Sequence, residues 1–164
     1  MTDLVQVNYA TPEDADGMFD LLLMMYSENG TFSLNEAKVR ALIDQCIARD
    51  RALAGVIRVD GKPVATIGMV IESFWWTDDE CLVEKFNFVH PDHRRSGFAQ
   101  SQIEFAKRCS DRLSDLNLPL FIGVLSNERT EAKLRFYRRH LQAAGAFFTH
   151  NINLVEHPSR QVGS

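Results

Sequence analysis

Residues 89–106, VHPDHRRSGFAQSQIEFA, join a strand to a helix and decide the fold. The stretch leaves an apolar strand, passes Pro91, which cannot continue a hydrogen-bonded ladder, and enters a helix close to Gly97. A helix start leaves backbone N–H groups without partners, and the helix dipole makes it positive. Gly97 lets a ligand approach this backbone, and Arg94 and Arg95 add positive charge beside it. The junction therefore predicts a site for a phosphate or pyrophosphate group.

An arginine pair at a helix start is also typical of an ordinary solvated surface, so the junction alone leaves both interpretations open. The sequence contains neither G-x-x-x-x-G-K-[ST] nor G-x-G-x-x-G. Those patterns mark the usual binding loops for nucleoside triphosphates and dinucleotides, so the sequence disfavours both of these ligand classes.

Upstream of the junction, the chain begins with a strand and two helices. Residues 4–9 are rich in strand-forming side chains, and Thr11 can cap a helix that runs to about Tyr26. Ser33 is the expected cap of the second helix. The order therefore starts β-α-α.

The periodicity then changes to that of strands. Residues 51–76 predict two strands joined at Asp60 and Gly61, because an Asp-Gly pair between apolar runs is a strong hairpin signal. A third strand is expected at residues 81–89, which completes an antiparallel meander.

Downstream of Gly97, the spacing of apolar residues becomes helical, on a stripe formed by Ala99, Ile103, Ala106, Cys109, Leu113 and Leu116. The continuous apolar run at 118–124 predicts a strand buried on both faces and parallel to the strand before the helix. A last helix is expected over 128–144, ending at Gly145, and a final strand over 146–155.

The element order is therefore β-α-α-β-β-β-α-β-α-β, an α/β arrangement in which helices flank a mixed, mostly antiparallel sheet. A chain of 164 residues, of which 45% are apolar and 24% charged, predicts one globular domain. We place that domain at residues 1–155 and a polar tail at residues 156–164.

Charge and composition exclude several classes of partner. The net charge of −4 disfavours nucleic acid and anionic membranes, and the longest apolar runs are too short to cross a bilayer. The first residues lack the pattern of a secretory signal, and three scattered cysteines form neither a disulfide framework nor a metal motif. We expect a cytoplasmic protein without a metal.

The junction also carries a family resemblance. Its segment RRSGFA, Arg94 to Ala99, resembles the [QR]-x-x-G-x-[GA] hallmark of the GNAT superfamily of CoA-dependent N-acetyltransferases, and the preceding FVHPDH is similar to the family's strand end. The resemblance implies a GNAT-like fold that binds acetyl-CoA as a co-substrate, uses no metal, and transfers the acetyl group directly to a primary amine.

The resemblance also implies which residues hold the cofactor. The strand end, Phe88 and Val89, corresponds to the segment that pairs with the pantetheine arm, and the Val89 N–H to a group that polarises the thioester carbonyl. The amides expected to hold the pyrophosphate belong to Arg95, Ser96, Gly97, Phe98, Ala99 and Gln100.

By the same resemblance, Asn127 contributes to cofactor binding and Tyr137 protonates the departing CoA thiolate. The spacing between them is longer than in the family by nearly one helical turn. From the sequence alone, Asn127 is equally a cap or turn residue, and Tyr137 a core aromatic whose hydroxyl finds a polar partner.

The general base is less defined. Glu84 lies on the strand where some family members carry a glutamate base, but its phase along the strand differs by one residue, which changes the face of a regular strand. His90 is a second candidate, because histidine titrates near neutrality, and otherwise an ordinary loop residue.

The acceptor is not identified by the sequence. Residues 72–80, ESFWWTDDE, are either an exposed hairpin or an aromatic and acidic acceptor wall, and residues 26–33 fall where the family often builds its acceptor pocket. The alternatives to an enzyme are a CoA-binding module without chemistry and a partner-binding α/β domain. Because a single final strand leaves an open sheet edge, we also expect a homodimer.

Overall fold

A computed structural model describes residues 4–29, 32–113, 118–124, 129–146 and 148. Its strands are β1 (Asn8–Tyr9), β2 (Ala52–Val59), β3 (Lys62–Ser73), β4 (Glu80–Val89) and β5 (Leu120–Phe121). Its helices are α1 (Ala15–Asn29), α2 (Glu36–Ala48), α3 (Phe98–Arg112) and α4 (Thr130–His140). Short 3-10 turns, Pro12–Asp14 and Pro91–His93, precede α1 and follow β4.

The strands form a sheet in the order β1-β2-β3-β4-β5. The β1–β2, β2–β3 and β3–β4 pairs are antiparallel, and β4–β5 is parallel. This mixed, mostly antiparallel sheet with flanking helices confirms the predicted fold class. The final strand expected at 146–155 lies almost entirely outside the described residues, and the tail at 156–164 lies wholly outside them.

Helices cover both faces of the sheet. On β2, Leu53 and Ile57 belong to a buried cluster with α3, whereas Ala54 and Val56 belong to a second cluster with α1 and α2. Alternate residues of a strand point to opposite faces, so α3 packs on one face and α1 and α2 pack on the other. The hairpin turn has positive φ at both Asp60 and Gly61, as the Asp-Gly signal predicts.

An ion pair fastens the start of α1 to β2. The buried Asp14 carboxylate accepts hydrogen bonds from Arg58 Nε at 2.7 Å and from the Thr11 backbone N–H at 2.8 Å. Burial by itself raises the pKa of Asp14, but the bonds from Arg58 and Thr11 outweigh it and hold the pKa below its ordinary value. The carboxylate therefore stabilises the fold in its charged form.

Several sequence predictions about element ends are corrected. The second helix is capped by Asn35, whose side chain accepts from the Lys38 N–H at 3.1 Å, and not by Ser33. Ser33 is too far upstream, because an N-cap oxygen reaches only the amides two or three residues ahead. The first helix continues to Asn29, and the last helix ends at His140 with Leu141 as its C-cap, short of the predicted end at Gly145.

Two burial predictions are also wrong. The run at 118–124 is not buried on both faces over its described residues, since Phe121 is 36% exposed and β5 pairs over two residues only. Leu113, expected on the apolar stripe of α3, is exposed because it follows the end of that helix. Over the part of the chain that the structure describes, no helix is long and apolar enough to span a bilayer.

Candidate active site

A β-bulge in the middle of β4 sets the direction of the side chains that follow it. Gly68 and Met69 on β3 pair with Phe86 and Glu84, so Lys85 has no partner on β3. Leu82, before the bulge, belongs to the buried cluster under α3, whereas Phe86, after it, belongs to the cluster under α1 and α2. Simple alternation along the strand therefore fails here, which accounts for the apparent one-residue phase difference of Glu84.

Beyond the bulge, β4 loses its neighbour on the β5 side. In the described structure, the two strands pair only at Leu82 with Leu120 and at Val83 with Phe121. Among the described residues, no strand pairs with this edge of β4 after Val83, and Asn87, Phe88 and Val89 border an opening there.

The backbone N–H of Val89 faces this opening. The His90 N–H donates to the Val64 carbonyl on β3 at 2.8 Å. Neighbouring residues of an antiparallel strand point their backbone groups to opposite edges, so the Val89 N–H points away from β3, towards the opening.

The start of α3 lies next to the Val89 amide and presents further unpaired donors. Gly97 caps the helix with φ 75°, a conformation that favours glycine. The first helical hydrogen bond runs from the Ser101 N–H to the Gly97 carbonyl at 3.1 Å, so the amides from Gly97 to Gln100 have no helical acceptor. The Ser96 N–H, by contrast, already donates to the His93 carbonyl at 3.1 Å.

Arg94 is held by protein groups. Its Nη2 lies 2.5 and 2.7 Å from the two carboxylate oxygens of Glu28 on α1, and its Nε donates to the Val89 carbonyl at 3.3 Å. The guanidinium also lies over the Phe88 ring, 5.4 Å from its centroid. Arg94 thus braces the end of β4 against α1, whereas Arg95 is exposed.

These groups border a small cavity of about 270 Å³, here called the loop cleft. Residues of β4, of the start of α3 and of α4 line it, together with Glu28 and Arg94. Its lining includes Asn87, Phe88, Val89, Gly97, Ala99, Gln100, Lys133 and Tyr137. With free amides and a helix N-terminus at one end, the loop cleft suits an anionic ligand.

A second, larger cavity of about 870 Å³, here called the wide cavity, lies between α1, α2, β4 and α4. Most of its walls are apolar, and Glu84 and Lys85 lie on its β4 side. Asn87, Lys133 and Tyr137 line both cavities. The two cavities therefore meet at these side chains, which is where two ligands could touch.

Polar contacts at this meeting point fix the phenol of Tyr137. The Asn87 Nδ2 donates to the Tyr137 Oη at 3.1 Å, and the Gly123 N–H donates to Glu84 Oε2 at 3.4 Å. Lys133 lies four residues before Tyr137, one turn along the same face of α4.

The cavity walls change the pKa values of these groups, since desolvation disfavours every charged form. Burial raises the pKa of Glu84 to about 7, and the Gly123 N–H and the charge of Lys133 only partly oppose it. Burial also raises the pKa of Tyr137, helped by the nearby charge of Glu84, and lowers the pKa of Lys133. The site therefore joins a carboxyl that titrates near neutrality to a phenol that stays protonated.

Some predicted site residues lie elsewhere. The Phe98 side chain is part of the core under α3 and stacks on His93, so only its backbone faces the site. His90 caps the 3-10 turn by accepting from the Asp92 N–H and lines neither cavity. Residues 72–80 also line neither cavity, and Asn127 lies outside the described residues.

The sequence did not point to Asn87 or Lys133. Lys133 had a detectable signal, since it lies one helical turn before Tyr137. Asn87 had none, because its position relative to Glu84 depends on the bulge. Among the described residues, no group of three His, Cys, Asp or Glu side chains could hold a metal ion.

The sequence matches a family model described as the Acetyltransferase (GNAT) family over residues 16–141, which is most of the chain. No curated protein matches the sequence.

Several solved structures share the fold at low sequence identity. A possible acetyltransferase from Clostridium difficile 630 has a TM-score of 0.67 and 18% identity, covering 92% of this chain and 99% of that one. The ribosomal-protein-alanine N-acetyltransferase of Brucella melitensis biovar Abortus 2308 has a TM-score of 0.64 and 19% identity, with coverage of 90% and 97%. An aminoglycoside N-acetyltransferase in complex with CoA has a TM-score of 0.68 and 12% identity, with coverage of 89% and 93%.

Proposed function

Because this chain belongs to the Acetyltransferase (GNAT) family, we propose that it transfers an acetyl group from acetyl-CoA directly to a primary amine. The observation that carries the proposal is the meeting of the loop cleft and the wide cavity at Asn87, Lys133 and Tyr137. Two ligands bound in these cavities have their reactive ends side by side, and positioning of this kind supplies a large part of catalysis.

The loop cleft is the proposed acetyl-CoA site. The free amides between Gly97 and Gln100 hold the pyrophosphate, and the Val89 N–H points to where the thioester carbonyl develops negative charge. Ser96 supplies its hydroxyl in place of an amide that is already paired, and exposed Arg95 adds charge at the rim. Arg94 acts by bracing the strand end against Glu28. Asn127 remains a proposed cofactor residue from the family resemblance.

The wide cavity is the proposed acceptor site, and Glu84 is the proposed base. Glu84 takes a proton from the substrate ammonium and passes it to solvent, so that the free amine nitrogen attacks the thioester carbon. The new C–N bond forms as the carbonyl oxygen becomes an oxyanion held by the Val89 N–H.

The second half of the reaction belongs to Tyr137. As the C–S bond breaks, the Tyr137 hydroxyl donates its proton to the leaving sulfur, and the phenolate regains a proton from the nitrogen that becomes the amide. Its hydrogen bond from Asn87 orients the phenol, and its raised pKa keeps it protonated before the step.

Isothermal titration calorimetry with acetyl-CoA is the first test, followed by colorimetric detection of free CoA thiol with a panel of amines. We expect micromolar binding and amine-dependent thiol release. Absence of binding at high micromolar acetyl-CoA would refute the proposal, and binding without transfer to any amine would instead indicate a CoA-binding module without chemistry.

A cytoplasmic location and a homodimer stay predictions from the sequence. An exposed cluster of three aromatic side chains lies beside β5, the edge strand among the described residues, and we propose it as a dimer contact. In this cluster, Phe74 stacks on Trp76 with ring centroids 4.8 Å apart and contacts Phe121 edge-on at 5.1 Å. Light scattering that gives the mass of one 18.7 kDa chain would contradict the dimer.

A further inference from the structure

We infer that the acceptor is a primary amine with a single positive charge, carried on an apolar aromatic or branched body, and that polycations are excluded. This inference rests on the proposed function, because it takes the wide cavity as the acceptor site. It concerns the chemistry of the cavity walls, which differ from what a polyamine or an aminoglycoside requires.

The walls of the wide cavity are mainly apolar. Side chains from α1, α2, the segment before α2 and β4 form this surface: Met25, Tyr26, Leu34, Val39, Leu42 and Phe86. Val39, Leu42 and Met25 also pack against the buried cluster under α1 and α2, so this wall is continuous with the core. A body of several carbon atoms gains by leaving water for such a surface.

The charges of the wide cavity favour one ammonium group only. Among the described lining residues, Glu84 is the single carboxylate, whereas Lys38, Lys85 and Lys133 are cationic. The charge of Lys85 is neutralised by the Glu72 carboxylate, which lies 2.8 Å away. The charge of Lys133, in turn, already stabilises the ionised form of Glu84. A second ammonium on the acceptor would therefore lie near lysine charges of the same sign, with no second carboxylate among the described lining residues to pair with, which is electrostatically unfavourable.

The apolar surface of the wide cavity is also unfavourable for a hydroxyl-rich body. The Asn35 side chain, which lines the wide cavity, already accepts the Lys38 N–H as the cap of α2. A sugar-like acceptor would place some of its hydroxyl groups against this apolar surface, and each hydroxyl left unpaired there is penalised.

The first experiment compares acceptors at fixed acetyl-CoA by thiol release. Phenethylamine and isoamylamine represent the inferred class, and spermidine and kanamycin represent polycations. We expect kcat/KM for the first pair to exceed that for the second by about a hundredfold, because the additional ammonium groups of the polycations have no carboxylate partner among the described residues that line the wide cavity. Equal or higher kcat/KM for spermidine or kanamycin overturns the inference while leaving the acetyltransferase proposal intact, and failure to bind acetyl-CoA in calorimetry removes the proposal itself.

The second experiment tests the apolar wall with a matched pair on α1. Met25→Gln puts a polar side chain into the wide cavity, whereas Met24→Gln changes an exposed neighbour, 38% accessible, that lines neither cavity. We expect Met25→Gln to raise KM for phenethylamine roughly tenfold and to leave KM for acetyl-CoA unchanged, with no effect of Met24→Gln. An unchanged KM for phenethylamine in a folded Met25→Gln protein overturns the inference.

A third variant tests the charge argument. Lys38→Glu adds a carboxylate to the wide cavity, and Lys62→Glu makes the same change on an exposed lysine of β3 that lines neither cavity. We expect Lys38→Glu to raise kcat/KM for spermidine about fivefold relative to phenethylamine, with no change in Lys62→Glu. Equal ratios in the two variants contradict the role assigned to the lysines.

Discussion

Glu84→Gln should make the protein more stable at alkaline pH while slowing its turnover. The carboxyl lies at the junction of β4 and the wide cavity, where burial raises its pKa from an ordinary value of 4.5 to about 7. Glutamine has the same shape and keeps an oxygen that can accept the Gly123 N–H, but it carries no charge to desolvate. The substitution therefore separates the cost of the charge from the shape of the side chain.

The magnitude follows from proton linkage. Because the folded pKa lies above the unfolded one, the folded state binds more protons between pH 4.5 and 7, and stability falls as the pH rises through this window. A shift of this size costs about 3 kcal/mol at pH 8, where the group is ionised in both states, and about 1 kcal/mol at pH 5. Replacing Glu84 by glutamine should therefore remove this pH-dependent cost from the free energy of unfolding.

Urea denaturation of wild type and Glu84→Gln at pH 5 and pH 8 measures the effect. We expect the variant's advantage in unfolding free energy to grow by about 2 kcal/mol between the two pH values. Glu131→Gln, an exposed glutamate on α4, is the matched control and should show no such growth. A Glu84→Gln advantage that is equal at pH 5 and pH 8 would refute the idea that this carboxylate is desolvated.

The pH dependence of turnover tests whether Glu84 acts as the general base. In the wild type, kcat/KM for the amine should rise with pH through about 7 as Glu84 ionises. Glu84→Gln should lose that inflection and roughly a hundredfold in kcat. A variant with the wild-type pH profile would assign the proton transfer to another group.

Three further predictions concern other parts of the fold. Tyr137→Phe should lower kcat about a hundredfold in the thiol-release assay and leave calorimetric acetyl-CoA affinity unchanged, because only the acid is lost; unaltered kcat would exclude this role. Gly97→Ala places a Cβ at φ 75° and should cost about 1 kcal/mol in urea denaturation while weakening acetyl-CoA binding; full stability and affinity together would contradict the cap geometry. Asp14→Asn leaves the Arg58 charge without its carboxylate and should cost about 3 kcal/mol at pH 7, a loss that shrinks as the pH falls through the lowered pKa of Asp14; a loss that is constant with pH would contradict the ion-pair argument.

Short stretches of sequence predicted much of the fold. The Asp60–Gly61 turn, the helical spacing after Gly97 and the break at Pro91 each depend on residues close together in the chain, and each lies where the sequence indicated. The parallel pairing of β4 and β5 followed from the helix between them. The prediction that Ser33 caps α2 was wrong because both Ser33 and Asn35 are residue types that cap helices. The residue at which the helix begins decides which of them is the cap, and α2 begins at Glu36.

The sequence by itself determined the order of the described elements and the position of the strand-to-helix junction at which we propose anion binding, because both arise from backbone preferences over a few neighbouring residues. Tertiary structure alone decided which side chains meet. The bulge at Lys85 sets the approach of Glu84 and Asn87 to α4, and the parting of β4 from β5 makes the opening that the Val89 amide faces. Strand register and strand separation are set by packing across the whole sheet, and no local stretch of sequence encodes them.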